Sequence, residues 1–155
     1  MSDQSLYDED ILLWSEQQAA AVRKLGRTRA LPNELDVENI AEEIESVGRS
    51  ELAAVRSHIR LIFLHLMKLA VDENSEAERH WRGEIVAFHA ELVERYTPSM
   101  RQRIDIDGLW RSAREQAVLA YDEAANLPTH CPFSLDDLLA EHVDTVALLE
   151  RLTSV

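Results

Sequence analysis

The sequence predicts an all-α protein, a compact bundle of five or six helices around one long central apolar helix. Apolar residues return at spacings of three and four along most of the chain, which is the helical period, and no stretch shows sustained alternation. Only four glycines and four prolines interrupt 155 residues, of which 46% are hydrophobic. Because this length and composition suit one hydrophobic core, we predict a single helical domain over residues 1–155.

The first predicted helix runs from Asp8 to Leu25, with Gly26 just past its end. The segment RTRALPNEL, residues 27–35, contains a proline and is predicted to be a linker. Asp36 then suits the N-cap of the next helix, because its carboxylate can accept hydrogen bonds from the free amides of the first turn.

The central helix is predicted over residues 36–71. Its apolar stripe continues through Gly48 at steps of three and four: Ile44, Gly48, Leu52, Val55, Ile59, Ile62, Leu66 and Leu69. One helix is therefore the preferred prediction, bent or weakened at Gly48, because a glycine costs about 1 kcal/mol in a helix interior. A tight hairpin at Gly48 to Ser50 is the alternative. Beyond Leu61 most of the helix circumference is apolar, which predicts a buried element.

Two further helical segments follow the central helix. Asn74 or Ser75 can cap a helix that extends to about Tyr96. Pro98 suits the first turn of a short helix, which the segment 105–108 is predicted to interrupt.

The last part of the chain predicts two more helices. The first has one side formed by Trp110, Ala113, Ala117, Tyr121 and Ala124. The second starts at a capping box in which Ser134 caps the helix and Asp137 reaches back to it. We predict that this last helix continues without a break to Leu152.

The charge of the chain excludes some partners. Sixteen basic and 29 acidic residues give a net charge of -13, which repels phosphate backbones and anionic lipid surfaces. We therefore predict neither a nucleic acid nor a membrane as partner. A local basic patch is the weaker alternative, and it would comprise Arg95, Arg101, Arg103, Arg111 and Arg114.

The cysteine content and the apolar runs of the chain indicate its compartment. Cys131 is the only cysteine, so no disulfide framework is available and a reducing cytosol is favoured. The acidic start MSDQSLYDED does not resemble a signal peptide, and the longest apolar run is interrupted by Arg60, His65 and Lys68. We predict a cytoplasmic protein.

The stretch DVENIAEEIESVGRSE, residues 36–51, concentrates acidic residues on one side of the central helix. The stripe is acidic in its first half and basic in its second, as a solvated or inter-helical salt-bridge face would be. We predict that this stripe is an interaction face, and that it comprises Glu38, Glu42, Glu45, Arg49, Arg56 and Arg60. Its acidic half could meet the basic half of a second, antiparallel copy, or close within one chain if the hairpin forms. The predicted function is therefore a small interaction protein without catalytic activity, which binds another protein or itself.

A metal-dependent helical enzyme is the competing prediction, with Glu42, Glu45 and His65 as weak candidate ligands. Helical carboxylate-bridged metal sites usually contain Glu-x-x-His spacings, and none occurs in this sequence. Cys131 precedes a proline and has His130 beside it, but neighbours in sequence need not orient a thiolate, so we predict a structural role for the thiol. We therefore predict no catalytic residue, no metal and no cofactor.

Several motifs resemble those of the bacterial DUF29 family, whose function is unknown. They are YDEDILLW at 7–14, the stretch DVENIAEEIESVGRSE, HLMK at 65–68, Trp81, WRSAREQA at 110–117 and CPFSLDDLL at 131–139. The resemblance implies an all-helical bacterial protein with no established activity, substrate or cofactor, and it supplies no functional residues. The chain departs from the family pattern by a shortened segment before CPFSL and by the tail after residue 139.

Overall fold

A computed structural model of the chain describes residues 3–72 and 75–154. The α-helices are α1 (Asp3–Glu9), α2 (Ile11–Thr28), α3 (Val37–Val71), α4 (Ser75–Arg95), α5 (Ile106–Ala120), α6 (Leu135–Leu138) and α7 (Thr145–Thr153), and 3₁₀ helices cover Pro98–Arg103 and Asp122–Asn126. Within the described residues there is no strand, and five of the helices have nine residues or more. The all-α prediction is confirmed. No helix in these two ranges combines the length and the apolar character needed to cross a membrane.

The amino-terminal helix differs from the prediction at both ends. The Asp10 carboxylate accepts a hydrogen bond from the Leu13 amide at 3.1 Å, so it caps a new helix and separates α1 from α2. At the other end, Gly26 lies inside α2 and does not terminate it. A Cβ atom on Gly26 would lie 2.7 Å from the Val37 Cγ1 atom, so the glycine permits a close approach between α2 and the start of α3.

The central segment forms one helix, α3, of 35 residues. The prediction of one helix is therefore confirmed, and the hairpin at Gly48 does not form. The bend or weakening at Gly48 stays a prediction. The Asp36 side chain accepts a hydrogen bond from the Asn39 amide at 3.2 Å, as expected of an N-cap. Gly48 is buried against α2, and a Cβ atom there would lie 3.0 Å from the Leu12 Cα atom and would also clash with the Ser15 hydroxyl. The glycine is required by helix packing and does not mark a turn.

The chain divides into two compact units, and α3 contributes residues to each. The first unit comprises Met1–Ala54 and Arg95–Arg103, and the second comprises Val55–Glu94 and Ile104–Val155. The single-domain organisation predicted from the sequence stays a prediction.

The first unit contains a buried carboxylate that joins two distant segments. Besides capping α2, the Asp10 side chain accepts hydrogen bonds from the Thr97 hydroxyl at 2.9 Å, the Ser99 amide at 2.9 Å and the Ser99 hydroxyl at 2.6 Å. Burial raises the pKa of Asp10, but these hydrogen bonds and that from the Leu13 amide outweigh burial, and the pKa lies below its ordinary value. The α2 start is thereby tied to the 3₁₀ helix at Pro98–Arg103.

The second unit is built around three aromatic side chains. The rings of Phe63 and Trp110 meet edge to face at 5.2 Å between centroids, and the Phe133 ring stacks on Phe63 at 6.1 Å. The Trp110 indole nitrogen donates a hydrogen bond to the Pro128 carbonyl at 2.8 Å, so its polar atom is satisfied while its ring is fully buried. The helices of this unit therefore share a core of large apolar side chains.

Helix α4 begins at Ser75, and the alternative cap, Asn74, lies outside the described residues. Helix α5 ends at Ala120, earlier than predicted, because Tyr121 adopts an extended conformation and a 3₁₀ helix follows it. Ala124 is buried as part of that 3₁₀ helix.

The capping box at the start of α6 is confirmed, since Ser134 and Asp137 exchange both expected hydrogen bonds. The predicted continuous helix to Leu152 is wrong. Helix α6 ends at Leu138, and α7 starts only at Thr145, where the Asp144 carboxylate accepts a hydrogen bond from the Ala147 amide at 3.0 Å. The second N-cap begins a new helix and breaks the predicted one.

Candidate functional site

The acidic half of the predicted interaction face lies on α3 in the first unit, where an arginine from α2 meets it. The Arg23 Nε atom lies 2.8 Å from a Glu38 carboxylate oxygen, and its Nη2 atom lies 3.0 Å from Glu45 and 3.6 Å from Glu42. One guanidinium group therefore contacts all three glutamates. Hydrogen bonds to Glu45 and Glu38 raise the pKa of Arg23, so its charge persists under all ordinary conditions.

Arg49 completes this ion-pair cluster on α3. Its Nη2 atom lies 2.5 Å from a Glu42 oxygen, and its Nη1 atom lies 3.7 Å from Glu45. Glu42 and Glu45 thus each contact two guanidinium groups. The hydrogen bond from Arg23 is the largest influence on Glu45 and lowers its pKa below the ordinary value. Burial opposes this lowering, and the charges of Arg23 and Arg49 add to it. All four α3 residues of this cluster were singled out from the sequence.

Sequence reasoning missed Arg23. The available signal was weak: the only basic residues before Glu38 are Arg23, Lys24, Arg27 and Arg29, all in the region of α2. Identifying which of them meets the glutamates requires the packing register of α2 on α3, and that register follows from the close contact at Gly48.

The basic half of the predicted face belongs to the second unit. The Arg60 Nη1 atom donates a hydrogen bond to the Gln116 side-chain oxygen at 2.6 Å. Arg56 lines a small cavity of about 220 Å³ with Asp105 and Leu109. Within one chain, the glutamates are therefore paired with Arg23 and Arg49. In an antiparallel dimer, Arg56 and Arg60 would compete with Arg23 and Arg49 for these carboxylates or share them.

The three candidate metal ligands do not come together. Glu42 and Glu45 belong to the first unit and contact arginines. His65 belongs to the second unit, where its Nδ1 atom lies 2.8 Å from the Leu61 carbonyl and its Nε2 atom lies 2.5 Å from a Glu84 oxygen. Across residues 3–72 and 75–154, no three His, Cys, Asp or Glu side chains are arranged to hold a metal ion. Glu84 lies 19 positions from His65, so no local pattern around the histidine indicates this contact.

The single thiol is shielded. Burial is the main reason that the pKa of Cys131 rises to about 11, and nearby carboxylates contribute to the increase. The adjacent His130 ring hydrogen-bonds to Asp107 at 2.9 Å, and the Cys131 amide donates to the same carboxylate at 2.7 Å. Since a nucleophilic thiol requires a lowered pKa, this environment agrees with a structural role for Cys131.

Three of the five arginines between 95 and 114 bind other parts of the protein. In the first unit, Arg95 pairs with Glu51 at 3.0 Å and Arg103 pairs with Glu16 at 2.7 Å. In the second unit, Arg114 donates to the backbone carbonyl of Ala125 at 2.6 Å and to that of Leu127 at 3.2 Å. These contacts bind helices and loops together and reduce the positive charge that a phosphate backbone would meet.

An exposed apolar strip runs along α3 next to its buried side. Ile40 and Val47 are 39% and 45% exposed, and Ile44 between them is half-buried. At 100° per residue these three positions cluster on one side of the helix, and the buried Ala41 and Gly48 lie beside them. We call this surface the α3 strip.

The comparisons with known proteins concern most of the chain. The family described as "Domain of unknown function DUF29" matches residues 6–143. The chain belongs to the DUF29 family. An α-helical protein of unknown function from Rhodospirillum rubrum, solved by crystallography, is 38% identical and superposes with a TM-score of 0.86, over 94% of this chain and 96% of that one. The resemblance to DUF29 is thus confirmed, and the comparison with curated proteins gave no match.

Proposed function

We propose that this DUF29 protein is an interaction module without catalytic activity, and that the α3 strip binds a protein partner. The observation that supports this function is the exposure of Ile40 and Val47, which lie two turns apart on one helix face. Single exposed apolar residues are common, but positions i, i+4 and i+7 on one side of a helix form the pattern that partner grooves recognise.

The ion-pair cluster of Arg23, Glu38, Glu42, Glu45 and Arg49 supports this function in a second way. Its side chains are held by mutual contacts, so a partner meets a fixed arrangement of charges and less side-chain entropy is lost on binding. Charges placed beside an apolar contact select the partner and its orientation more than they add affinity.

The partner in this proposal is a protein in the cytosol, either a second copy or another chain. The net charge of -13 argues against nucleic acid and anionic membranes. A lone cysteine, whose thiol is shielded, suits a reducing compartment.

The experiment compares wild type with the double variant Ile40→Asp/Val47→Asp. Sedimentation velocity reports self-association, and chemical cross-linking in cells of the source organism followed by mass spectrometry reports other partners. We expect the double variant to lose the association that wild type shows while keeping its helical circular dichroism, since both residues are exposed. The control is Leu119→Asp, because Leu119 is 90% exposed and lies in α5. Unchanged association in the double variant would reject the α3 strip as the binding surface.

A second variant tests the antiparallel dimer predicted from the charge stripe. If two copies pair through this stripe, Arg56→Glu/Arg60→Glu should abolish the dimer. If wild type is a dimer and the variant stays dimeric with unchanged helicity, the antiparallel arrangement is excluded.

A further inference from the structure

The second unit contains a groove that the proposed function does not use. It has a volume of about 420 Å³ and lies between one face of α4 and the segment that connects α6 to α7. Val86 and Val93 form its apolar part on α4 and are 55% and 42% exposed, and Val143 contributes from the connecting segment. The two α4 valines lie two helical turns apart, which is the length over which a docked helix presents its i and i+7 side chains.

The charged residues of the groove all have the same sign. Glu94 lines it from α4 and Glu141 from the connecting segment, where the exposed His142 ring lies 3.9 Å from Glu141. The lining contains no lysine or arginine among the described residues. An apolar surface between carboxylates is complementary to an apolar surface between lysines or arginines. It repels nucleic acid and acidic peptides alike.

The wall of the groove has an unused hydrogen-bonding group. His89 lines it and is only 6% exposed, and its buried Nε2 atom has no hydrogen-bond partner within the part of the chain that the structure describes. Buried polar atoms in folded proteins are nearly always hydrogen-bonded, and an exception calls for a physical reason. One such reason is that a polar group of a partner forms the missing hydrogen bond with Nε2 after a small rotation of the imidazole.

We propose that this groove, the α4 groove, binds an amphipathic helix of a partner protein that has apolar residues on one face and lysine or arginine beside them. The apolar face would cover Val86, Val93 and Val143, and the basic side chains would pair with Glu94 and Glu141. A basic amphipathic helix matches both the two-turn spacing of the valines and the negative charge of the groove. The site is independent of the α3 strip, which belongs to the first unit.

The test selects binders from a displayed library of random peptides of about 15 residues, enough for four helical turns, with the full chain as bait. We expect the enriched peptides to combine a helical apolar pattern with an excess of lysine and arginine. Fluorescence anisotropy of selected peptides should show an affinity loss of about tenfold or more for Val86→Asp/Val93→Asp. Glu94→Lys/Glu141→Lys should lower the affinity for the same peptides and make their binding less sensitive to salt.

Two controls separate this inference from the proposed function. Ile40→Asp/Val47→Asp should leave the affinity of the selected peptides unchanged, and binding should shift the side-chain NMR signals of His89. The inference is overturned if no peptide is enriched over a bait-free selection, if the enriched peptides lack basic residues, or if they bind the Val86→Asp/Val93→Asp variant normally. Peptides lost only in the α3 strip variant would support the proposed function and reject the α4 groove.

Discussion

In the first unit, α2 and α3 approach each other at glycines, where a side chain is absent, whereas in the second unit the helices pack through large aromatic rings. Gly26 and Gly48 mark the close approach in the first unit. In the second unit, the contact between helices is made by the rings of Phe63 and Trp110. The first unit therefore depends on backbone proximity, and the second depends on buried apolar volume.

Polar side chains join distant segments in both units. In the first unit, Asp10 and Arg23 each join segments that are distant in sequence, through multiple hydrogen bonds and ion pairs. In the second unit, the Trp110 and Arg114 side chains donate to backbone carbonyls of the loop that follows the 3₁₀ helix. The packing difference predicts that added volume is most damaging between α2 and α3 in the first unit, and lost volume in the aromatic core of the second.

The largest effect is expected from Trp110→Ala. The substitution removes a fully buried ring that contacts both Phe63 and Phe133, and it should destabilise the protein by about 3 to 5 kcal/mol. Chemical denaturation measures the loss. Leu119→Ala in the same helix is the control, since Leu119 is 90% exposed and its change should stay within about 0.5 kcal/mol. Equal effects of the two substitutions would contradict the aromatic core.

The next largest effect is expected from Gly48→Ala, which disturbs the close approach of α2 and α3 in the first unit. Gly48→Ala gains about 1 kcal/mol of helix propensity but places a methyl group against the Leu12 backbone and the buried Ser15 hydroxyl. We expect a net destabilisation of about 1 to 2 kcal/mol, because overpacking against a backbone atom costs about 2 to 3 kcal/mol and the propensity gain offsets about 1 kcal/mol of it. Thermal and urea unfolding provide the measurement. A stabilised Gly48→Ala protein would show that α2 does not pack against α3 at this position.

Asp10 tests the polar contacts of the first unit. Asp10→Ala removes the N-cap of α2 and leaves the Thr97 and Ser99 donors without their acceptor, which should cost about 1 to 3 kcal/mol. The folded state lowers the pKa of Asp10, so its contribution is complete above the pKa of the unfolded chain and is lost as pH falls through the folded value. The difference in unfolding free energy between wild type and Asp10→Asn should therefore shrink on acidification from neutral pH. A difference that grows at low pH would mean that the carboxylate is not charged in the folded protein.

The features that could be predicted from the sequence are those with a local cause. The continuous apolar period predicted α3 through Gly48, and the three-residue spacing of Ser134 and Asp137 predicted the capping box. The break at Asp10 was missed although the cap is local, because the apolar period continues across it.

The contacts that could not be predicted join residues far apart in the chain. Thr97 lies 87 positions from Asp10, and Arg23 reaches Glu45 over 22 positions. Such pairs depend on helix packing, which one sequence does not specify. For the candidate site, the residues of the acidic stripe were therefore identified, but their principal cation was not.

The smallest effect is expected from Gly83→Ala, which repeats the Gly48→Ala substitution in the second unit. Gly83 lies inside α4, and a Cβ atom built on it has no neighbour within 4 Å among the described residues, in contrast to Gly48. Gly83→Ala should therefore show the helix propensity gain alone and stabilise the protein by about 1 kcal/mol. Urea unfolding of both alanine variants in the same buffer checks the opposite signs. If Gly83→Ala is also destabilising, another molecule or another part of the chain must cover residue 83. The difference between Gly83 and Gly48 would then not reflect the packing of α2 on α3.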